Sequence, residues 1–406
     1  MKTDSKPKIF RLTYKFRLYP EKKQEEKLLW TLDKCRFIYN SLLDKSQKEN
    51  LNWIELSALL PKLKEEYPEL KSVYSKVIQY ENDKLFNNLK TLSQLKKNGK
   101  RMGRLRFKGK NWLKSFTYNQ SGFKLIEVGK RHQILHLSKI GDIKIRCHRN
   151  IKGKVKQITI KKERSCKWFA LISIEEEISI KNQSINKVVG IDLGLNNIIY
   201  DSDNNKIINP KHLKKHEKRL ILLQKRLSKK KKSSKNREKV RLRLARQYEK
   251  LTNIRNDFLH KISRSYVDNY DAIGMENIHI KNFVKNNRLS KSILDASWGK
   301  LRQFISYKAE RAGKIFVTVD CRGTTQRCSQ CGNIVAKDLS ERIHKCPYCG
   351  FIAPRDYNSA LDVRRLTIGK IGRDMPEFKP VEIALAAELR NKVYESSINE
   401  AGSSTI

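Results

Sequence analysis

Cys328-Ser-Gln-Cys331-Gly332, followed by Cys346-Pro-Tyr-Cys349-Gly350-Phe-Ile-Ala-Pro354-Arg355-Asp356-Tyr357-Asn358, is the stretch from which the rest of the chain becomes readable. Two Cys-x-x-Cys knuckles supply four soft thiolates, and the glycine after each second cysteine permits a tight turn. The spacing predicts a structural zinc ribbon held by Cys328, Cys331, Cys346 and Cys349. A dithiol redox motif is the competing reading, but it is rarely doubled at this spacing. Ribbons serve enzymes, binding proteins and scaffolds alike, so function has to be read from what surrounds this one. Directly after it, residues 355–366 carry Ala360, Leu361, Val363 and Leu366 at helical spacing, and this helix begins at or near Asp356.

Moving back along the chain, residues 187–192 form a short apolar run ending in Asp192 and followed by Gly194. Two strand-like pieces, 198–201 and 206–208, are joined by Asp203-Asn204-Asn205, a turn signal. Helical spacing covers about 211–228 and 236–270, a second apolar strand at 272–275 ends in Glu276, and a helix at 297–313 leads to a strand at 314–320. Each acid alone would read as a surface carboxylate or, for Asp356, a helix N-cap. Their order decides otherwise. A strand with Asp, a hairpin, a helix, a strand with Glu and a late helix with Asp is the layout of an RNase H-like domain. There, three acids converge to hold two divalent ions about 3.5–4 Å apart for phosphodiester hydrolysis. Carboxylates suit Mg²⁺ or Mn²⁺.

In the N-terminal half, residues 8–19 alternate, with Phe10, Leu12, Tyr14, Phe16 and Leu18 on one side, until Pro20 ends the strand. Residues 21–100 turn helical: Leu28, Leu32, Cys35, Ile38 and Tyr39 mark one helix and Val77, Ile78, Leu85, Leu89 and Leu92 a later one, with interruptions near Pro61 and Pro68. Alternation returns at 105–107, 115–118, 134–137, 143–145, 155–160 and 168–174, with turns at Gly122, Gly141 and Gly153. Short strands so spaced predict a small barrel that the first strand completes.

The 406 residues leave room for two to four domains at roughly 100–200 residues each. With 88 Lys and Arg against 42 Asp and Glu, the net charge of +46 calls for a polyanionic partner. Nucleic acid fits. No apolar run approaches the roughly 18 residues of a membrane span, and residues 1–8 lack a secretory signal, so a cytoplasmic protein is expected. The remaining cysteines, Cys35, Cys147, Cys166 and Cys321, stand singly and read as small buried residues in a reducing compartment.

Gly190-Ile-Asp-Leu-Gly194, Met275-Glu-Asn277, the ribbon and Arg355-Asp-Tyr-Asn-Ser-Ala360 together resemble the split RuvC motifs and zinc ribbon of the TnpB (OrfB) family. These are RNA-guided nucleases of insertion-sequence transposons, related to type V CRISPR effectors. Tyr14-Lys-Phe-Arg-Leu-Tyr-Pro20, Cys35-Arg-Phe-Ile-Tyr-Asn40 and Arg104-Leu-Arg-Phe-Lys108 are similar to that family too, so the resemblance runs from about residue 10 to 366. Two departures are Pro354, where the family commonly has Asp, and Ile278 after Asn277; neither touches the three acids.

The resemblance implies an α+β, multidomain chain. A small wedge barrel (1–20 and 104–185) carries an inserted helical recognition lobe (21–103), and a RuvC nuclease (186–322 and 353–370) carries the ribbon (323–352). A loosely ordered tail (371–406) follows. It implies Asp192, Glu276 and Asp356 as catalytic acids for two Mg²⁺ or Mn²⁺ ions, one structural Zn²⁺, and a transposon-end-derived guide RNA bound by a monomer. Base pairing would then select double-stranded DNA beside a short adjacent motif. Lys15, Arg17, Arg36, Arg104, Arg106, Lys108 and Lys229 to Lys232 are the expected nucleic-acid contacts. Of the aromatics among them, Tyr14, Phe16, Tyr39, Phe107, Phe116 and Tyr118, most are expected in the core. Two other functions stay open: an RNA-guided DNA-binding regulator without useful cleavage, and an accessory transposase. Against the latter, no His-hydrophobe-His motif with a nearby Tyr is present.

Overall fold

Phe10, Phe16 and Leu18 are buried along β1 (Lys8–Tyr19), as the alternation requires. The computed structural model describes residues 8–49, 51–129, 131–179, 184–320, 323–338 and 341–374. Of the expected loosely ordered tail, 371–406, residues 371–374 instead continue the last helix, and 375–406, like Cys321, lie outside these residues. The chain divides into two compact units, one of residues 7–179 with 229–246 and one built mainly of 180–228 and 247 onward.

In the first unit, β1 leads into α1 (Lys22–Glu49), α2 (Trp53–Glu66) and α3 (Ser75–Lys97), then into β2 (Ser115–Asn119), β3 (Phe123–Glu127), β4 (His132–Leu137), β5 (Gly141–Arg146), β6 (Lys154–Lys162) and β7 (Trp168–Ile178). The seven strands pair antiparallel in the order β2-β6-β7-β1-β5-β4-β3. Tyr118, on one edge strand, donates its hydroxyl to the Ser138 carbonyl just beyond β4 at 2.8 Å. The sheet therefore curls into an open barrel, and Phe116, Tyr118, Leu135, Ile143 and Trp168 share one core with Leu28, Ile38 and Leu42 of α1.

Three local expectations change. Pro61 lies inside α2, which the Asn52–Glu55 capping box starts and buried Leu56 and Leu60 anchor; the break falls at Pro68, the start of a 3₁₀ turn. Residues 105–107 form no strand; side chains of α1 hold the ends of the segment instead, Gln47 donating to the Leu105 carbonyl and Asn40 bracketing the backbone of Lys108 at 2.8 and 3.0 Å. Cys166 is exposed rather than buried, on a turn at φ 64°, whereas Cys35 and Cys147 are buried. Among the aromatics, Phe16, Tyr39, Phe116 and Tyr118 are core and Phe107 is exposed.

The second unit holds β8 (Val188–Asp192), β9 (Asn197–Asp201), β10 (Lys206–Ile208), α4 (His212–Ser228), most of α5 (Lys235–Asn269), β11 (Ala272–Glu276), α6 (Ile280–Phe283), α7 (Asn287–Ala296), α8 (Trp298–Arg311), β12 (Ile315–Val319), β13 (Ile343–Lys345), β14 (Ile352–Pro354) and α9 (Arg355–Asp374). Its main sheet runs β10-β9-β8-β11-β12, antiparallel across β10, β9 and β8 and parallel across β8, β11 and β12. This is the RNase H-like sheet. Val189, Ile191, Ile273 and Met275 pack with Leu259 and Ile262 of α5 and with Leu301 and Ile305 of α8. No helix among the described residues is long and apolar enough to cross a membrane.

Candidate active site and metal centre

Strands β8 and β11 run parallel in a register that sets Met275 beside Ile191, so the next residue on each, Glu276 and Asp192, emerges at the same end of the sheet, the C-terminal ends of two central strands. Both carboxylates are buried, 6% and 8% exposed. The third acid arrives on α9, and two glycines let that helix come close. A Cβ on Gly190 of β8 would lie 2.2 Å from the Ala360 carbonyl oxygen and 2.3 Å from the Arg364 nitrogen; one on Gly274 of β11 would lie 1.8 Å from Thr367 Oγ1. Helix backbone thus rests on strand backbone, and Asp356, in the first turn of α9, is brought to Asp192.

Burial pushes the Asp192 carboxyl well above the ordinary range, and the charges of Glu276 and Asp356 push it further. Glu276 is raised by burial too, against the hydrogen bond that Thr324 Oγ1 donates to its Oε1 at 2.6 Å. The fully buried Ser359 hydroxyl lies beside both carboxylates without a hydrogen bond of ordinary geometry to either. Arg355 holds Asp356 Oδ1 from Nε and Nη2 at 3.3 and 3.2 Å while its Nη1 donates to the Glu341 carbonyl. In a chain of +46, Asp192 and Glu276 thus stand where burial disfavours their charge, and at Asp192 repulsion adds to it; a divalent cation relieves both. The donor set is oxygen-only and suits Mg²⁺ or Mn²⁺.

Sequence reading missed a fourth acid. Asp362, fully buried, pairs with Arg365 at 2.6 Å and Arg327 at 3.6 Å, and its charge acts on Glu276. The available signal was spacing: Asp356, Ser359 and Asp362 fall three apart on one helical face. Asn358 was also missed as a strut; its Nδ2 donates to the Arg327 carbonyl and its Oδ1 accepts from the Ser329 amide, at 2.8 and 2.9 Å.

Those last contacts tie α9 to the first knuckle of the ribbon. The sulfurs of Cys328, Cys331, Cys346 and Cys349 all lie within 4.8 Å of one another, with Cys328–Cys349 at 3.7 Å and Cys331–Cys346 at 3.6 Å. A tetrahedron with Zn–S of about 2.3 Å has edges of about 3.8 Å, so the cluster fits a zinc ion and not a pair of disulfides. Gly332 and Gly350 take φ of 78° and 73°, the left-handed turn their positions predicted. Among the described residues the cysteines are the group that converges this tightly; the acids do not. Protein as purified is expected to hold one zinc per chain by metal analysis. A zinc chelator is expected to lower its melting temperature, and Mg²⁺ alone should not restore it, because the ribbon core of Cys328, Cys346, Phe351 and Ala353 packs on Tyr357 and Leu361 of α9.

Family profiles match three stretches. Residues 171–287 match OrfB (IS605), described as "Probable transposase"; residues 298–363 match a Cas12f1-like TNB domain; residues 10–50 match a helix-turn-helix domain. A Streptomyces pristinaespiralis protein named "Putative RNA-guided DNA endonuclease" is 30% identical over 366 residues, 86% of this chain and 88% of its own. The chain belongs to the TnpB family. InsQ of Escherichia coli K12, named in the same way, is 30% identical over 86% of this chain and 90% of its own. In fold, the structure resembles a Cas12f1–sgRNA–target DNA complex solved by cryo-EM, with a TM-score of 0.59 at 15% identity, covering 88% of this chain and 99% of that one. The stretch matched as helix-turn-helix is here β1 followed by the single helix α1.

The basic candidates of this TnpB-family chain fall into three settings. Lys15 is paired with Glu163 at 2.8 Å, and Arg17 donates to the Trp168 carbonyl at 3.1 Å, both flanking the Phe169 ring. Arg104 and Arg106 are exposed, while Lys108 lies over Tyr39. Lys229, Lys230, Lys231 and Lys232 are exposed in the turn before α5, and Arg36, paired with Asp33, walls a cavity.

Proposed function

We propose that this protein is an RNA-guided endonuclease that cleaves double-stranded DNA beside a short adjacent motif, using Asp192, Glu276 and Asp356. The observation that supports it most directly is the pair of buried strand-end carboxylates, Asp192 and Glu276, at one end of the sheet, with the charge of Asp356 of α9 acting on Asp192. Relatives bearing the name RNA-guided DNA endonuclease over most of both chains supply the reaction class. The three acids would hold the cations. Two such ions, when bound, supply an activated hydroxide and stabilise the leaving oxygen. Thr324 fixes the rotation of Glu276, Arg355 that of Asp356, and Asn358 anchors the helix that carries both Asp356 and Ser359. The curled sheet with its helices acts as wedge and recognition lobe, and the protein works as a monomer on one transposon-end-derived RNA in the cytoplasm of a prokaryote.

The test is plasmid cleavage in Mg²⁺ by protein co-expressed with its flanking transposon-end RNA, retargeted against a randomised adjacent-motif library. Breaks should move with the guide; guided occupancy without breaks would make the protein a regulator. Guide binding is expected to weaken about 10³–10⁵-fold between 50 and 200 mM salt if six to ten phosphates are contacted, measured by filter binding. A flat salt response would leave the +46 charge without this role.

A further inference from the structure

Within the first unit lies a cavity of about 590 Å³ whose lining is of two kinds. Leu29, Leu32 and Leu113 supply its apolar surface, and Arg36, Lys114, Lys162, Arg164 and Arg241 its cations. The acids in the lining hold these cations in place or are already paired. Asp33 meets Arg36 at 2.9 Å, Glu238 meets Arg241 Nε at 2.7 Å, and Glu163 is taken by Lys15 and Lys161. Among the described residues, Lys114 and Arg164 have no ion pair. Burial, with Arg241 and Lys162 nearby, lowers the Lys114 pKa, as expected of a cation awaiting an anion. At the rim, between lining residues Asn111 and Leu113, Trp112 is 73% exposed. A turn holds it there: Asn111 sits at φ 63°, and the Trp112 amide donates to the Gly109 carbonyl at 3.0 Å.

We propose that this cavity receives one unstacked nucleotide of the guide RNA, its phosphate among Lys114, Arg164 and Arg241, its base against the leucines, and the adjoining base stacked on Trp112. The inference rests on the reading that the chain binds a guide RNA. The volume lies within the ordinary range for small-ligand sites, and the double character of the walls is what a nucleotide presents. A free phosphate would leave the leucines uncovered. An exposed indole in a basic stretch is the platform that single-stranded nucleic acid uses.

The experiment uses full-length protein and a guide RNA substituted with 5-iodouridine, irradiated and mapped by peptide mass spectrometry. A cross-link to Trp112 is expected. Trp112→Ala should weaken guide binding about tenfold, with Trp112→Phe restoring it, and Arg164→Ala should add a separate loss. Exposed Cys166 on the cavity wall gives a second readout. A single-stranded pentaribonucleotide should slow its maleimide labelling at least fivefold, and inorganic phosphate should not. Equal protection by phosphate would assign the cavity to a free anion and overturn the proposal. So would wild-type guide affinity in both alanine variants with no cross-link at Trp112, and either result leaves the nuclease reading intact. Failure of the unaltered protein to bind guide RNA at all would overturn that underlying reading instead.

Discussion

Asp192→Ala is expected to lower guided cleavage at least about 10³-fold while guide and target binding stay within about twofold of the unaltered protein. Losses of that size follow removal of one electrostatic centre from an active site. Glu276→Ala and Asp356→Ala should behave alike, because the acids act as one cluster: the charges of both reach Asp192. The same burial gives a stability signature. A carboxyl whose folded-state pKa is raised takes up a proton on folding. Its contribution is fully present at low pH and lost as pH rises through the raised value. Without divalent cation, the fold therefore loses stability at Asp192 as the pH rises above the ordinary carboxylate range. Asp192→Asn should raise the melting temperature in chelator, by about 0.5–2 kcal/mol of stability, the ordinary gain from relieving a strained site. Mg²⁺ should stabilise the unaltered protein more than the variant. Protons should also compete with the cation at a higher pH than exposed carboxylates allow, so cleavage should fall on acidification before the ordinary carboxylate range is reached. Persistent breaks in Asp192→Ala would move the chemistry elsewhere.

The local signals on which the sequence reading relied were strongest where side-chain periodicity and burial coincide. The ribbon was legible because metal chemistry fixes both residue type and spacing. The nuclease sheet was legible because β8 and β11 are short buried strands that each end in an acid. β3 left no trace because its Phe-Lys-Leu-Ile-Glu is only partly buried or exposed, and alternation is visible only when one face is covered. The segment before Trp112 misled, since Leu105-Arg-Phe alternates like a strand while Gln47 and Asn40, some 60 residues earlier, take up the Leu105 carbonyl and the Lys108 backbone at its two ends. Asp362 was missed for a related reason. Its spacing from Asp356 and Ser359 sets it on their helical face, but among so many charged positions tertiary packing is what distinguishes a buried acid near Glu276 from a solvated one.

Gly190→Ala is expected to reduce cleavage at least about 10²-fold with all three acids still present. The added Cβ would fall 2.2 Å from the Ala360 carbonyl oxygen and 2.3 Å from the Arg364 nitrogen. Both are helix backbone atoms, so no side chain can swing aside, and α9 must lift from β8. Overpacking of this kind costs about 1–3 kcal/mol. The functional loss should be larger, because Asp356 and Ser359 ride on that helix and a displacement of about 1 Å alone can cost 10²-fold. Gly369→Ala in the same helix is the control: its Cβ would meet nothing within 4 Å, and it should be neutral or stabilise by about 0.5–1 kcal/mol. Guide binding should be unchanged in both. Cleavage rates and melting curves for the pair separate two demands on α9. If Gly190→Ala melts earlier yet cleaves normally, close packing serves stability alone; if cleavage falls much further than stability, the glycine in Gly190-Ile-Asp192 is what positions the third acid.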